Sequence, residues 1–368
     1  MGGALAPGRA AGALSSRPAV DSSPVTLEHE QLLVRRGRRS GLYCAVAVHS
    51  TVRGPGLGGC RMWRYDDSAS GVADALRLSR AMTYKAACAG LPLGGGKGVI
   101  MLRDGAPQGR ARRDVLLDFG ETVDAVRGAY ITAEDVGTSS RDMTVISEAT
   151  KHVSGLAQSR GGSGDPSPYT ALGVQAAVLA SCERAFGDTS LKGRSVAVVG
   201  LGSVGLRLAK LLERRGAKVV AADIDARRRA EADKLGARWM TPDKALTAAV
   251  DVLAPCALGG ILNDETVPRI QAPVIAGAAN NQLADETVAD RLAQRGILWA
   301  PDFVANAGGI INIAVELEPT GYDAKLARGR VQEIGDTLRA IFDSAAGGMT
   351  PLTAAMELAR RRLAEPRA

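Results

Sequence analysis

The chain has 368 residues, and 46 Lys plus Arg against 39 Asp plus Glu give a formal net charge of +7. A hydrophobic share of 46% and a charged share of 23% are those of a globular protein, which excludes a wholly disordered chain, and the length allows two or three domains. No run reaches the ~18 uncharged apolar residues of a membrane span, no C-x-x-C pair marks the five cysteines as zinc ligands, and 4% aromatic content offers no stacking platform for nucleic acid. The expectation is a soluble cytoplasmic protein with no metal, no membrane and no nucleic-acid partner.

Residues 1–25, rich in Gly, Ala, Pro and Ser, read as a disordered tail. Residues 42–52 read as a buried strand, followed by a glycine-rich turn over 54–59. From 71 to 84, Val72, Ala75, Leu76, Ser79 and Met82 recur at helical spacing as one buried stripe, and Lys85 falls at its end. Short strands are expected at 99–102 and 130–133, with a helix over 112–126 between them. A Gly, Ser and Pro cluster at 161–167 interrupts the pattern. Beyond it, six apolar strands at 196–199, 218–222, 237–239, 250–253, 273–277 and 297–300 alternate with helices, as in a doubly wound parallel sheet. Residues 306–363 read as helices.

One motif has a direct physical meaning. Gly200-Leu201-Gly202-Ser203-Val204-Gly205 fits G-x-G-x-x-G, follows the strand at 196–199 and opens a helix over 206–215. The first glycine permits the tight turn, the second admits a pyrophosphate close to the backbone, and the third lets helix pack on strand. The next strand ends at Asp223, at the interval expected of an acid that binds a ribose 2′-hydroxyl. These residues predict a Rossmann domain that takes NAD; Arg227, Arg228 and Arg229 close behind keep NADP open.

A hydride-transfer enzyme also needs groups that hold substrate and move protons. Lys97 follows Gly94, Gly95 and Gly96, whose missing side chains would let main chain close on a small ligand, while burial of a lysine favours the neutral amine of a general base. The competing reading is a hairpin turn with a solvated lysine. Asp135 stands just past a strand end, where it would serve either chemistry or a helix cap. His29, His49 and His152 fall in no triad or metal spacing, and there is neither a G-x-S-x-G nor a P-loop.

Seven ordered segments carry a resemblance: Leu57-Gly58-Gly59-Cys60-Arg61, Met82-Thr83-Tyr84-Lys85, residues 93–97, Ala133-Glu134-Asp135-Val136-Gly137-Thr138, and residues 255–260, 277–282 and 301–309. Together they resemble the amino-acid dehydrogenases of glutamate, leucine, valine and phenylalanine, from about Glu28 to the C-terminal helices. The resemblance implies reversible oxidative deamination of an L-amino acid to a 2-oxo acid and ammonia, with NAD, in a homo-oligomer. Lys85 would hold the α-carboxylate, Lys97 would activate water, and Asp135 would exchange protons with the amino group. Gly58 and Gly59 would wall the cleft. Cys256, Ala257, Ala279, Asn280 and Asn306 would join Gly200, Gly202, Ser203, Val204, Gly205 and Asp223 around the cofactor, with Asn280 also near substrate.

The resemblance places the substrate side chain near Leu57, Met82, Ser154, Ile310 and Ile313. None of these can pair a second carboxylate, and an unpaired buried charge is costly, so glutamate is disfavoured. The branched isoleucines narrow the site toward leucine, valine or isoleucine; phenylalanine or another aromatic amino acid is the alternative, and a catalytically silent NAD-binding regulator is the alternative from another class. Cys60 stands where relatives commonly have Thr, and the run after Asn312 has one acid fewer than usual. The expected architecture is α/β with two domains: the tail at 1–25, a substrate and catalytic α/β domain at 26–165, a Rossmann domain at 166–315, and helices at 316–368 that return to the first domain.

Overall fold

The computed structural model describes residues 28–365; the tail expected at 1–25 lies outside the described residues. The first half runs β1 (Gln31–Arg36), β2 (Tyr43–Ser50), β3 (Gly56–Arg64), α1 (Ser68–Cys88), β4 (Gly94–Leu102), α2 (Gly109–Asp124), β5 (Tyr130–Glu134) and α3 (Ser140–Ile146). Its five strands form a sheet in the order β1-β2-β4-β3-β5. Strand β2 pairs antiparallel with β1 and β4, whereas β3 lies parallel to both β4 and β5. The fully buried run Cys44 to Val48 in β2 and the wholly buried β4 explain the central strands, since both faces are covered.

Most of the turn expected at 54–59, and the glycine run before Lys97 whose competing reading was a hairpin, are strands instead. Gly56 to Gly59 pair with β5, Gly56 and Leu57 also with β4, and Gly94 to Gly96 open β4. Their glycines answer to packing. A β-carbon on Gly95 would overlap the Thr83 nitrogen in α1, and one on Gly96 would overlap the Tyr130 ring. The glycines therefore bring α1 and Tyr130 onto the sheet, and they seat Lys97 on a rigid strand rather than a hairpin tip.

Helix α1 starts at Asp67, whose carboxylate accepts from the Ser70 N–H. Its buried positions are Gly71, Ala75, Leu78, Ser79, Thr83, Ala86, Ala87 and Cys88, while Val72, Leu76 and Met82 are only half-buried. The expected stripe is thus rotated and widened, because the sheet takes one side of the helix and a cleft takes another.

After α4 (Ser167–Phe186) come β6 (Ser195–Val199), α5 (Ser203–Glu213), β7 (Lys218–Ala222), α6 (Arg229–Lys234), β8 (Arg238–Met240), α7 (Pro242–Leu246), β9 (Val252–Pro255), β10 (Val274–Ile275), α8 (Thr287–Gln294) and β11 (Leu298–Trp299). These six strands are all parallel, in the order β11-β10-β9-β6-β7-β8. The order reverses between β6 and β9. That switch point opens a crevice at the carboxyl ends of those two strands.

The chain ends in α9 (Asp302–Ala305), α10 (Gly308–Glu316), α11 (Ala324–Gln332), α12 (Ile334–Ala345) and α13 (Pro351–Ala364). Helix α13 returns to the first sheet's α1: the Cys88 thiol donates to the Ala355 carbonyl, and Arg362 donates to the carbonyls of Ala87 and Cys88. Glu316, at the end of α10, accepts from the N–H groups of Gly155 and Ser163 and from the Ser163 hydroxyl, which clasps the segment that joins the two sheets.

Candidate active site

A cleft of about 620 Å³ lies between the two sheets. From the first it is lined by Leu57, Gly58, Gly59, Met82, Lys85, Lys97 and Asp135, and from the second by Ser203, Val204, Asn280, Asn306, Ile310 and Ile313. These are thirteen of the residues singled out from sequence, drawn together from seven separate segments.

Three charged side chains define its chemistry. Lys97, 5% exposed on β4, places Nζ 2.5 Å from Asp135 Oδ2. Asp135 follows β5 and is held by its own backbone: its N–H donates to Thr138 Oγ1, whose hydroxyl donates to the Cys60 carbonyl. Burial alone would raise the Asp135 carboxyl, but Lys97 and Arg61 beside it hold it below the usual carboxylate range. Lys85 lies in the last turn of α1 and donates to Asn306 Oδ1 at 2.5 Å. Burial, reinforced by the Lys97 charge, pulls the Lys85 ammonium down to about 8, against partial support from Asp302 and Asp135. Asp302 itself is pushed up by burial, although the N–H groups of Gln282 and Phe303 donate to it and Lys85 favours its anion.

The second wall is a polar ladder. Asn306 Nδ2 donates to the Ala278 carbonyl and to Asn280 Oδ1, so the two asparagines form one unit at the end of the parallel sheet. Ala279 is buried beside them, its N–H on the Pro255 carbonyl.

The dinucleotide fingerprint sits at the switch point. Gly200 adopts φ +107°, and a β-carbon there would lie 2.8 Å from that of Ala257, so the loops after β6 and β9 abut at Cys256 and Ala257. Gly202 is the N-cap of α5, and a β-carbon on it would meet no protein atom. Open space therefore faces the first turn of α5, where free N–H groups favour a phosphate. At Gly205 a β-carbon would overlap the Gly200 carbonyl, which requires glycine for the helix to close on the strand. Asp223 Oδ2 accepts from the Leu201 N–H at 2.6 Å and Oδ1 from the Asp225 N–H at 2.8 Å. It caps no helix; Asp225 caps the short turn that follows. The donor set and the glycine cradle fit a dinucleotide.

Ser154 does not belong to the cleft. It is fully buried, with its hydroxyl on the Thr132 carbonyl, and it joins residues 153–154 to β5 as a short bridge. Cys60 also points away, into the core with Cys44, Met62 and Ile100, so its departure from the common Thr leaves the cleft untouched. Conversely, Arg61 reaches Asp135 Oδ2 with Nε at 3.2 Å, although its motif alone assigns it no role. The signal that finds it is strand register: Cys60 pairs with Glu134, which sets Arg61 beside Asp135.

A doubly wound sheet with a dinucleotide loop, facing two lysines and an aspartate across a cleft, defines a nicotinamide-dependent dehydrogenase. Two family models match the chain: Glu/Leu/Phe/Val dehydrogenase, dimerisation domain, over residues 29–152, and Glutamate/Leucine/Phenylalanine/Valine dehydrogenase over 161–227 and 223–364. The chain is 44% identical to the leucine dehydrogenase of Thermoactinomyces intermedius over 338 residues, 91% of each chain. It is 43% identical to the valine dehydrogenase of Streptomyces virginiae over 344 residues, 92% of this chain and 95% of that one. The crystal structure of L-tryptophan dehydrogenase from Nostoc punctiforme superposes with a TM-score of 0.78 at 39% identity, covering 92% and 96% of the two chains. The chain belongs to the glutamate, leucine, phenylalanine and valine dehydrogenase family. It is an amino-acid dehydrogenase, an oxidoreductase of small-molecule substrates.

Proposed function

We propose that the protein catalyses the reversible, NAD-dependent oxidative deamination of a branched-chain L-amino acid, leucine, valine or isoleucine, to its 2-oxo acid and ammonia. The observation that carries this reading is the convergence of Lys85, Lys97 and Asp135 in one cleft with the apolar side chains of Leu57, Met82, Ile310 and Ile313. None of these four apolar side chains can pair a second carboxylate on the substrate.

In this reading Lys85 holds the substrate α-carboxylate, and Asn306 fixes the lysine. Asp135 takes a proton from the substrate ammonium, because the α-carbon releases hydride only from the free amine. NAD, when bound by Gly200, Gly202, Ser203, Val204, Gly205 and Asp223, supplies the hydride acceptor. Lys97, as the free amine, takes a proton from water while its oxygen adds to the imine carbon. Asp135 returns a proton to nitrogen; as the C–N bond breaks and ammonia leaves, the C=O bond forms and the hydroxyl proton passes to the freed Asp135 carboxylate. The 2.5 Å contact between Lys97 and Asp135 lets the proton pass between base and acid. Closure of the two domains excludes bulk water from these steps.

Asp223 favours NAD over NADP by repelling a 2′-phosphate. The domain division that suits this mechanism is substrate binding over 26–165, NAD binding over 166–315 and returning helices over 316–368. A cytoplasmic homo-oligomer is the form that we assign to it, on the strength of free cysteines and of a family segment described as a dimerisation domain. The 39% identity to a tryptophan dehydrogenase supports the second reading, an aromatic substrate in the same cleft.

The test is NADH formation from NAD with L-Val, L-Leu, L-Ile, L-Phe, L-Trp and L-Glu offered separately. Turnover confined to the branched-chain acids is expected. A preference for Phe or Trp would overturn the substrate reading and leave the mechanism. Lys97→Ala should lose most of kcat while still binding NADH, and normal turnover would remove Lys97 from its role.

A further inference from the structure

We propose that Arg61 is a positioning residue for the proton relay: it fixes which oxygen of Asp135 faces the substrate and keeps that carboxylate the charged partner whenever Lys97 gives up its proton. The proposal rests on the reading of the cleft given above and adds a residue to it.

The sheet dictates the meeting. In β3–β4 pairing Arg61 stands opposite Val99, two residues from Lys97, and in β3–β5 pairing it stands one step beyond Cys60 and Glu134. Residues two apart on a strand share a face. Arg61, Lys97 and Asp135 therefore emerge on the same side of three adjacent strands. Lys97 Nζ and Arg61 Nε both donate to Oδ2 of Asp135, at 2.5 and 3.2 Å. Among the described residues no side chain donates to Oδ1. Two cations on one oxygen, with the Val136 N–H also bonded to the carboxylate, lock its plane and leave Oδ1 without a side-chain donor.

Arg61 is itself clamped. Its NH1 lies 3.0 Å from Asp74 Oδ2 in α1, the Tyr65 hydroxyl donates to that same oxygen at 2.7 Å, and Arg77 donates to Oδ1 at 2.7 Å. The guanidinium thus bridges two acids, one at the reaction centre and one on the helix that carries Lys85. It is only a fifth to a quarter exposed, so its charge is weakly screened.

The chemical need is specific. Lys97 must alternate between ammonium and amine, and in the amine state a carboxylate paired with Lys97 alone would lose its counter-charge and retain the proton that it should pass on. A guanidinium does not deprotonate in proteins. Arg61 therefore supplies a constant positive charge through the whole cycle. The other titratable groups around Asp135 are Lys85 from α1, Cys60 from β3, Tyr65 just past β3 and Tyr130 from β5, and of these only Lys85 adds positive charge.

The experiment compares Arg61→Gln, Arg61→Lys and Asp74→Asn with the wild-type full chain. The ionisation of Asp135 is followed by infrared difference spectroscopy of the protonated carboxyl band, assigned by its loss in Asp135→Asn, so this readout does not require turnover. In Arg61→Gln the Asp135 midpoint should rise by about one pH unit or more. Its kcat should fall about tenfold or more, with the KM for the 2-oxo acid within about threefold of wild type because Lys85 is untouched. Arg61→Lys should recover most of both effects, and Asp74→Asn should produce a smaller loss in the same direction. An unmoved Asp135 midpoint in folded Arg61→Gln would overturn the proposal. So would an equal loss in Arg61→Lys, which keeps the charge. If Arg61→Gln fails to fold, Asp74→Asn decides alone by the same band. Absence of turnover by the wild-type protein with every amino acid would instead refute the functional reading, and the infrared result would still stand or fall for Arg61.

Discussion

Lys85 gives the sharpest quantitative prediction, because its environment sets the pH at which its grip on substrate fails. Burial, with Lys97 adding to it, brings its ammonium to about 8 from an ordinary value of 10.5. The sign is fixed by the charge: below about 8 Lys85 is a cation and can pair a carboxylate, and above it the neutral amine cannot. The probe is 4-methylpentanoate, which has the leucine carbon skeleton and a carboxylate but no amine to titrate in the same range. Its competitive Ki should stay flat below pH 7 and rise about tenfold per pH unit above pH 8. Between pH 7 and pH 10 the rise works out at about 90-fold, or about 3 kcal/mol. Bound carboxylate should also raise the proton affinity of Lys85, so binding above pH 8 takes up a proton, measurable as a buffer-dependent heat in calorimetry. Asp302→Asn removes an acid that supports the Lys85 cation and should move the bend to lower pH. Lys85→Met should bind weakly with no bend at all. A Ki that stays flat from pH 7 to pH 10 in the wild-type protein would refute the placement of the carboxylate on Lys85.

The cofactor loop and the scaffold yield three more outcomes. Asp223→Ala removes the acceptor of the Leu201 N–H and should weaken NADH while narrowing its advantage over NADPH; fluorescence titration with both nucleotides checks it, and an unchanged ratio counts against the role. Gly202→Val should leave the unliganded melting temperature nearly unchanged, since a β-carbon there meets no protein atom, yet lower NADH affinity by about tenfold or more through obstruction of the phosphate site. Asp118 in α2 is buried and accepts from the N–H groups of Arg39 and Ser40 and from the Ser40 hydroxyl. Asp118→Asn should therefore cost about 1–3 kcal/mol in denaturant unfolding at pH 7. Burial works against its anion, but those donors prevail and hold its carboxyl below the ordinary value, so the stability it adds is present above pH ~4 and is lost as pH falls through the lower native value.

The parallel sheet was legible because β6 to β11 each combine a short apolar run with flanking helices, and because Gly200 to Gly205 and Asp223 fall at fixed intervals along it. Lys85, Lys97 and Asp135 could be named from their motifs. What the sequence hides is lateral distance. Gly94 to Gly96 carry the local signature of a turn, yet they lie in a buried strand because Thr83 and the Tyr130 ring, far away in sequence, need the space of their side chains. Ser154 and Met82 have the same standing in a motif comparison, but one turns to the Thr132 carbonyl and the other lines the cleft. Arg61 sits inside a recognised motif, and only the pairing of β3 with β5 shows which acid it serves.

The junction of α1 with α13 bears on how the protein is made. Ribosomes deliver a chain from its N-terminus, so α1 emerges more than two hundred residues before the helix that covers its end. Until Arg362 arrives, the carbonyl of Cys88 has no partner at the very end of the helix that presents Lys85, and the apolar face around Ala86 and Ala87 lies open. Burial of that face therefore depends on a helix that is made more than two hundred residues later. A truncation that removes α13 should leave the same face bare and raise its binding of a hydrophobic dye.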